Sequence, residues 1–294
     1  SLTEGLNNKL YNKIIQEVLK NIPNLDEWLD KETLKKFDNI SWKKAVLELH
    51  NPNNINKKGN FLERLIFDEI LSTFLINSKI RKTIKKFKKE KKIFDNDFSN
   101  NIQKRLNYEL TNDQTNALNE INKDLKSEEK MFRLLQGDVG SGKTIVALIS
   151  CLNVVNSGYQ VAFMAPTEIL AYQHYKLAQS LIKDKMKIGF LTSKTDYSER
   201  KKISNDLETN EIKILFGTHS VFQEKISYKK LGLVVIDEQH KFGVKQRKKL
   251  SDKGGKNCDV LVMSATPIPR TMIMTVFGDM DITLIKQKPK NRKP

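Results

Sequence analysis

Cysteine is scarce in this 294-residue sequence. Its two cysteines, Cys151 and Cys258, lie far apart, and neither belongs to a Cys-x-x-Cys pair or to another metal-ligand spacing. This scarcity excludes a disulfide-stapled scaffold and a cysteine-based zinc module, because both need several closely spaced thiols. We therefore expect a reduced, intracellular compartment for a chain that is long enough to bury its own hydrophobic core.

Long apolar runs are also missing. No segment approaches the ~18 continuous apolar residues of a membrane-spanning helix, and no secretory signal opens the chain. The sequence contains no internal repeat, and it begins at Ser1 rather than Met. These features predict a cytoplasmic protein with no membrane partner, and we expect it to be cut from a longer polypeptide.

Acidic residues are fewer than basic ones. The chain has 52 Lys and Arg against 35 Asp and Glu, which gives a net charge of +17 and a pI of about 9.6. Such an excess predicts a polyanionic partner such as nucleic acid. Most of the basic residues are Lys, in a sequence also rich in Asn and Ile, so biased codon usage is an alternative source of the charge.

The most informative motif is a glycine-rich loop. A short apolar run that ends at Leu135 predicts a buried strand, the loop follows as Gly137-x-x-x-x-Gly142-Lys143-Thr144, and an apolar helix comes next. This order is the context of a phosphate-binding loop, in which backbone N–H groups and a helix N-terminus face the anion. Lys143 is expected to reach the β- and γ-phosphates and Thr144 to offer its hydroxyl to Mg²⁺. The motif predicts a nucleoside triphosphate site; the alternative is an ordinary tight turn.

Residues 1–107 are predicted to form helices joined by polar turns. Apolar residues recur at helical spacing up to Pro23, Ser41 is a candidate N-cap, and a long helix starts near Phe61. The far end of that helix, Lys79 to Lys92, carries nine basic residues and one Glu. Such a run can follow a phosphate backbone, or it can be an exposed helix end.

From Tyr108 the pattern changes to strands that alternate with helices. The strands are nearly continuous apolar runs, which indicates a parallel sheet covered on both faces. We therefore predict an α/β domain at 108–294, in which ligands bind at the carboxyl ends of the strands. After the first strand, the predicted strands are 161–165, 188–191, 212–216, 233–236 and 260–263.

Two of these strands are followed by residues whose side chains can take part in catalysis. The strand that ends at Ile236 is followed by Asp237 and Glu238, and the last predicted strand by Ser264-Ala-Thr266. Beside a phosphate loop, Asp237 can hold Mg²⁺ while Glu238 positions and deprotonates an attacking water. We find no acceptor-binding motif of a transferase, so water is the expected acceptor.

These motifs together resemble the helicases of superfamily two and, within them, the RecG family. The phosphate loop, Asp-Glu-x-His and Ser-Ala-Thr occur here in that superfamily's order, although Lys241 stands where the RecG family usually has Arg. The resemblance implies a RecA-like first motor lobe, a P-loop NTPase fold, at 108–294 and a helical connector at 1–107. The family's wedge domain would precede Ser1 and its second lobe would follow Pro294. The blocks that carry the resemblance are Gln136–Thr144, Ala165–Glu168 with Gln173-His174, Gly217–His219 with Phe222-Gln223, Asp237–Val244 and Ser264–Thr271.

The resemblance also implies a role for each matching residue. On the nucleotide side, His240 counts as catalytic together with Lys143, Asp237 and Glu238. The residues that would bind the nucleotide are Tyr108, Gln114, Gly137, Gly140, Ser141, Gly142, Lys143, Thr144, Gln239, Ser264 and Thr266. Of these, Tyr108 and Gln114 would recognise adenine, although Thr111-x-x-Gln114 is also an ordinary capping box. The residues that would contact the DNA backbone are Thr167, Gly217, Thr218 and His219. A structural role is the alternative for His174 and His219.

The function implied by the resemblance is ATP-dependent remodelling of duplex and branched DNA, at stalled forks and Holliday junctions, in recombination and repair. ATP and Mg²⁺ would be the cofactors, and the protein would be a monomer near the bacterial nucleoid, with a single-strand-binding protein as a possible partner. A competing hypothesis is the motor of the transcription-repair coupling factor. That family tends to have Phe at the position of Ser141 and Glu at that of Gln239, so both residues favour RecG. Two further hypotheses are a nucleotide-gated DNA-binding module without hydrolysis and, more remotely, a small-molecule kinase.

Overall fold

The computed structural model describes residues 8–51, 58–86, 88–95, 103–106, 108–182, 186–223, 225–237, 255–265 and 280–289. The chain divides into two compact units, Ser1–Ile76 and Asn77–Pro294. The division falls within the long helix, earlier in the chain than the connector boundary predicted after residue 107. That boundary comes from the change of sequence pattern at Tyr108 and from the family resemblance, and it stays a prediction.

The first unit is helical, as predicted. Its helices are α1 (Asn8–Lys20), α2 (Lys31–Lys35), α3 (Trp42–Leu49) and the first part of α4 (Lys58–Lys86). The predicted N-cap is confirmed, because the hydroxyl of Ser41 accepts a hydrogen bond from Lys44 N at 3.3 Å. The buried Arg64 joins the elements by donating to Ile40 O at 3.1 Å, to Glu27 Oε1 at 2.7 Å and to Asp68.

The basic run Lys79–Lys92 is only in part the exposed helix end of our second interpretation, and contact with a phosphate backbone stays a prediction. The helix α4 ends at Lys86, and the chain beyond it contains two fully enclosed lysines, Lys89 and Lys92. Both ammonium groups donate to Asp259 Oδ2, at 2.7 and 2.5 Å. Only part of the run is therefore an exposed basic surface, because the Lys89 and Lys92 charges are used inside the second unit.

The second unit is an α/β domain built on a parallel sheet. Its described helices are α5 (Asn112–Leu125), α6 (Lys143–Asn156), α7 (Glu168–Ile182) and α8 (Tyr197–Glu208), with a 3-10 turn at His219–Phe222. The strands are β1 (Phe132–Gly137), β2 (Gln160–Met164), β3 (Lys187–Leu191), β4 (Ile212–Gly217), β5 (Leu231–Ile236), β6 (Asp259–Ser264) and β7 (Asp281–Ile285). Within the described part of the chain they form one sheet in the order β3-β4-β2-β5-β6-β1-β7.

Two hydrophobic clusters cover the two faces of this sheet. Alternate residues of one strand point to opposite faces, and Leu135 and Phe163 belong to one cluster while Leu134 and Ala162 belong to the other. This arrangement confirms the predicted α/β class with helices on both faces. Each predicted strand is present within a few residues of its expected bounds, but β7 was not predicted.

The strand order determines which loops meet at the carboxyl edge of the sheet. The loops after β4 and β2 are neighbours there, and the ends of β5, β6 and β1 follow side by side. Thr167 and Gly217–His219, which are predicted to contact DNA, thus follow strands on one half of the edge, and the phosphate loop, Asp237 and Ser264 lie at the ends of strands on the other. None of the described helices is both long enough and apolar enough to cross a membrane.

Candidate nucleotide and DNA site

The glycine-rich loop has a backbone that only glycine supports easily. Gly140 and Gly142 adopt positive φ angles of 83° and 87°, in the left-handed region where a side chain costs energy. Gly142 is also the N-cap of α6, and a Cβ built on it would overlap Gln114 Nε2. A Cβ on Gly137 would lie 2.6 Å from Ser141 Oγ. The motif's glycines are therefore required by the loop itself, as the sequence predicted.

The Lys143 side chain contacts the glycine-rich loop that precedes it. Its ammonium group donates to Gly137 O at 2.6 Å and to Asp138 O at 3.0 Å, and the side chain is mostly buried. The first turn of α6 contains no acidic residue, so its N-terminal positive end is not neutralised from within the helix. Ser141 Oγ is buried and has no hydrogen-bond partner among the described residues. An ammonium, a helix N-terminus and an orphaned hydroxyl suit a phosphate group.

Gln114 joins this loop to helix α5. The predicted capping box is present, since Thr111 Oγ1 accepts from Gln114 N at 3.3 Å and Gln114 Oε1 accepts from Thr111 N at 2.9 Å. The side-chain amide nitrogen of Gln114, Nε2, donates to Ser141 O at 2.7 Å. Gln114 is completely buried, whereas Tyr108 is exposed. The adenine-recognition role of these two residues stays a prediction.

Asp237 directly follows β5 at the centre of the carboxyl edge. Its backbone N–H donates to Met164 O at 2.9 Å, and its Oδ2 lies 2.6 Å from His174 Nε2. Ser264 ends the neighbouring strand β6, where it pairs in register with Gln136 of β1. The structure thus places Asp237, Ser264 and the phosphate loop on three adjacent strands. Glu238, Gln239, His240 and Thr266 lie outside the described residues, as do Lys241 and Arg270.

A metal ion at this site would have few protein ligands among the described residues. No group of three or more His, Cys, Asp or Glu side chains suitable for a metal ion occurs in the described ranges. An all-protein cage is therefore not seen there. Mg²⁺ does not need one, because it usually binds through one or two carboxylates together with substrate phosphates and water. The Asp237 carboxylate and the Thr144 hydroxyl together are a donor set that fits this mode.

The predicted DNA-contacting residues meet on two neighbouring strand ends. Ala165, which follows β2, donates its N–H to Gly217 O at the end of β4, at 2.9 Å. Gly217 is enclosed, because a Cβ there would overlap Leu191 O, whereas Thr167 and His219 are exposed. Thr218 is partly buried. The loops that carry Thr167 and His219 thus leave two adjacent strands at this edge, and both of these residues are exposed.

The electrostatics of this half of the edge favour an anionic ligand more than its sequence suggests. Glu168 follows Thr167 and would repel a phosphate, but Lys194 Nζ lies 3.0 Å from Glu168 Oε2. The hydrogen bond from Lys194 holds the pKa of Glu168 below its usual value. The carboxylate is therefore ionised and paired with a lysine, which reduces its repulsion of a neighbouring anion.

Sequence reasoning gives two residues of this site less weight than the structure does. His174 belongs to a family block and has a structural role as its alternative, yet its ring contacts Asp237 directly. Asp113 was not predicted as a site residue, although its Oδ2 accepts from Lys286 N at 2.8 Å and Gln287 N at 2.9 Å, directly after β7. The adjacent Gln173-His174 in a recognised block is the signal for the first. The second depends on β7, which the sequence did not reveal.

Comparison with known proteins agrees with this geometry. A family model described as "DEAD/DEAH box helicase" matches residues 111–275. The protein named ATP-dependent DNA helicase RecG of Thermotoga maritima is 42% identical over 99% of this chain and 38% of its own length. The protein of the same name from Borreliella burgdorferi is 39% identical over 100% of this chain and 43% of its own. The chain thus spans about two fifths of these relatives.

Solved structures show the same relationship. The structure of RecG bound to a three-way DNA junction matches 100% of this chain and 40% of that one, with a TM-score of 0.76 and 38% identity. The DEAD-box helicase Mss116, bound to single-stranded RNA and UDP-BeF, matches 66% of this chain with a TM-score of 0.51 and 18% identity. The second likeness supports the fold alone. The resemblance to RecG that the motifs predicted is confirmed over the full chain.

Proposed function

Because the chain belongs to the DEAD/DEAH box helicase family, we propose that it is the first motor lobe and helical connector of an ATP-driven helicase that remodels branched DNA. The connector corresponds to residues 1–107 and the lobe to 108–294. The chain covers only part of its relatives, so the activity is that of the longer protein. Stalled forks and Holliday junctions are its expected substrates, in recombination and repair.

The phosphate loop would bind the triphosphate of ATP. Its N–H groups and Lys143 would hold the β- and γ-phosphates, replacing the loop carbonyls that Lys143 now contacts. Ser141 Oγ would donate to a phosphate oxygen, which would satisfy its orphaned hydroxyl. Thr144 and Asp237 would hold Mg²⁺, which when bound supplies positive charge that offsets the charge of the phosphates.

Hydrolysis would use water as the acceptor. Glu238 would orient a water molecule toward the γ-phosphorus and accept its proton as the new P–O bond forms. The bond from the γ-phosphorus to the β,γ-bridging oxygen breaks, and ADP leaves with that oxygen. Glu238 lies outside the described residues, so this role comes from its position beside Asp237 in the family motif.

DNA would bind on the other half of the carboxyl edge. Thr167, Gly217, Thr218 and His219 would contact its backbone, and the basic excess would draw it in. The residues that would couple the nucleotide state to DNA movement are Gln239, His240, Ser264 and Thr266. We expect the protein to act as a monomer in the cytoplasm near the nucleoid, with a single-strand-binding protein as a partner.

One observation carries this proposal. The phosphate loop, Asp237 and Ser264 lie at the ends of three adjacent parallel strands, and the two loops that we propose to contact DNA follow the next two strands. A simple binding module needs no acidic residue beside the phosphate loop, whereas a hydrolase does. Similarity to RecG proteins over the whole chain supports the same function.

The experiment that tests the proposal compares the ATPase rate of the full-length protein on forked, linear duplex and single-stranded DNA. We expect forked DNA to stimulate hydrolysis most. Equal stimulation by linear duplex would instead indicate a duplex translocase of the transcription-repair coupling type. ATP binding without turnover on any DNA would indicate a nucleotide-gated binding module. The variant Glu238→Gln should keep ATP binding and lose turnover.

A further inference from the structure

Asp237 has one side-chain partner among the described residues, and that partner is His174. The imidazole Nε2 lies 2.6 Å from Asp237 Oδ2, and both side chains are about nine-tenths buried, at 9% exposure each. The ring of His174 packs on Phe163 of β2, with centroids 5.0 Å apart. With Asp237 ionised, its oxygen accepts the hydrogen bond and Nε2 carries the proton. The contact therefore fixes the direction of the carboxylate through an N–H donor.

The choice of donor distinguishes Asp237 from the other buried aspartate of the sheet. Asp259, at the start of β6, is neutralised by two lysine ammonium groups. In the described part of the chain no Lys or Arg pairs with Asp237. A lysine beside Asp237 would neutralise the carboxylate charge that attracts a metal cation. An imidazole N–H instead orients the carboxylate through Oδ2 and leaves Oδ1 for another partner. Orientation of a ligand by a neighbouring hydrogen bond is typical of metal sites.

His174 also connects the two halves of the carboxyl edge. It lies in α7, the helix that begins at Glu168, directly after Thr167. Thr167 caps this helix, since its Oγ1 accepts from Leu170 N at 3.3 Å. Asp237 belongs to the nucleotide half, and the two strands concerned, β2 and β5, are neighbours in the sheet. A displacement of α7 by a ligand at Thr167 would therefore move the donor that holds Asp237.

We propose that His174 is a positioning residue that orients the Asp237 carboxylate for the Mg²⁺–nucleotide complex and links this orientation to helix α7. The inference rests on the proposed function, because it assumes that Asp237 holds Mg²⁺. His174 touches neither the nucleotide nor the reacting atoms. It acts through Asp237.

The test uses two nearly isosteric variants of this chain. His174→Gln retains an N–H donor, whereas His174→Met fills a similar volume without one. Leu181→Ala is the control, because Leu181 is a buried residue of the same helix and its loss affects packing alone. The probe is a fluorescent, non-hydrolysable ATP analogue, titrated once with Mg²⁺ and once with EDTA. Thermal unfolding is recorded for every variant.

We expect the parent chain to bind the analogue more tightly with Mg²⁺ than with EDTA. In His174→Met this Mg²⁺-dependent gain should fall about tenfold, in the range found for outer partners of metal ligands. The affinity in EDTA should stay within about twofold, and His174→Gln should recover most of the gain. Leu181→Ala should lower the melting temperature and keep the gain.

The possible outcomes separate the two proposals. If the parent chain binds no analogue, or binds equally well in Mg²⁺ and EDTA, the proposed function of Asp237 fails and this inference fails with it. If the parent responds to Mg²⁺ and His174→Met responds equally, His174 is a packing residue and only the inference is overturned. If His174→Met does not fold, and His174→Gln folds but lacks the Mg²⁺-dependent gain in affinity, the inference is also overturned.

The link to α7 is tested in the full-length protein. DNA affinity is measured with and without the Mg²⁺–analogue complex, because coupling between two ligands is reciprocal. We expect the ratio of these affinities to move toward one in His174→Met and to stay near the parent value in His174→Gln. A parent-like ratio in His174→Met would show that α7 is not linked to Asp237 through this contact.

Discussion

At the scale of single residues, contacts within the glycine-rich loop explain why its motif has these residue types. Gly142 has a positive φ and lies against Gln114, so two independent constraints exclude a side chain there. Lys143 donates to two carbonyls of its own loop, which a phosphate would replace under the proposed function. The chemistry of each position therefore follows from its backbone surroundings.

Lys143→Ala should abolish measurable ATP binding while the fold is retained. The lysine supplies the side-chain charge for the β- and γ-phosphates, and its loss removes two hydrogen bonds to loop carbonyls that solvent can partly replace. Nucleotide titration and thermal unfolding would measure the two effects. The control is Lys123→Ala, an exposed lysine on α5. Equal titrations for Lys143→Ala and the parent would exclude the assignment.

Gln114→Ala should weaken ATP more than GTP, if Gln114 recognises adenine. The control is Thr111→Ala, which removes the Thr111 side of the capping box but leaves the Gln114 side chain in place. Loss of this cap costs about 1 kcal/mol, so urea unfolding should show a destabilisation of that order in Thr111→Ala and a larger one in Gln114→Ala, which also removes the buried hydrogen bond to Ser141 O. Only Gln114→Ala should change the ratio of ATP to GTP affinity. A similar change in Thr111→Ala would assign the effect to the cap.

At the scale of elements, sequence periodicity predicted most of the lobe. Five of the six strands that precede β7 are nearly fully buried apolar runs, and the sixth, β3, is a partly buried edge strand that still has an apolar run. Such runs are visible without any contact information. The capping box at Thr111 and the N-cap at Ser41 were visible for the same reason, since both are local. The strand β7 was missed because Asp281 and Thr283 interrupt its short apolar sequence, so its apolar signal is weak although Thr283 and Ile285 are buried.

The chain after α4 shows what a local pattern cannot predict. Lys89 and Lys92 look like other members of a basic run, and their burial depends on Asp259, more than 160 residues away in sequence. The same holds for Asp237 and His174, since their contact follows from the neighbouring positions of β2 and β5. Pairings over such distances depend on strand order, which the sequence alone did not establish.

Asp259→Asn should be strongly destabilising. It would leave two enclosed ammonium groups without a counter-charge, and breaking a buried ion pair from one side costs about 3–5 kcal/mol. Burial already lowers the pKa of Lys89, which indicates how unfavourable that charge is. The control is Asp281→Asn, which breaks the partly exposed pair with Arg81 and should cost about 1 kcal/mol or less. Urea unfolding would compare them, and equal losses would contradict the argument.

At the scale of the whole molecule, the net charge of +17 predicts weak, salt-dependent binding to duplex DNA. Affinity should fall steeply between low and physiological salt because bound counterions are released. The exposed lysines of the basic run are expected to contribute, so the variant to compare replaces Lys79 and Lys82 of α4 and Lys88 and Lys91 beyond it by Gln and leaves Lys89 and Lys92 intact. A smaller salt slope in this variant would assign part of the contact to this surface. If the affinity for DNA did not change with salt concentration, the excess of basic residues would reflect sequence composition and not DNA binding.

The last prediction is that this chain alone hydrolyses ATP very slowly. In the family pattern ATP lies between two lobes, and the second contributes an arginine that is worth roughly 10³–10⁵ in rate in related phosphoryl-transfer enzymes. Each arginine in the described ranges is already engaged by another group of the chain: Arg64, Arg81, Arg105, Arg133 and Arg200. The remaining three, Arg247, Arg270 and Arg292, lie outside the described residues.

We therefore expect residues 1–294 to bind nucleotide modestly, to show little DNA-stimulated ATPase and to unwind nothing. The measurement is steady-state hydrolysis by this chain, by the chain extended through the second lobe, and by the full-length protein with its wedge domain. The extension should restore turnover, because it supplies the missing charge opposite the γ-phosphate, and the wedge should add a preference for forks. Rapid, DNA-responsive hydrolysis by residues 1–294 would show instead that one lobe completes the site, and the two-lobe explanation would be wrong.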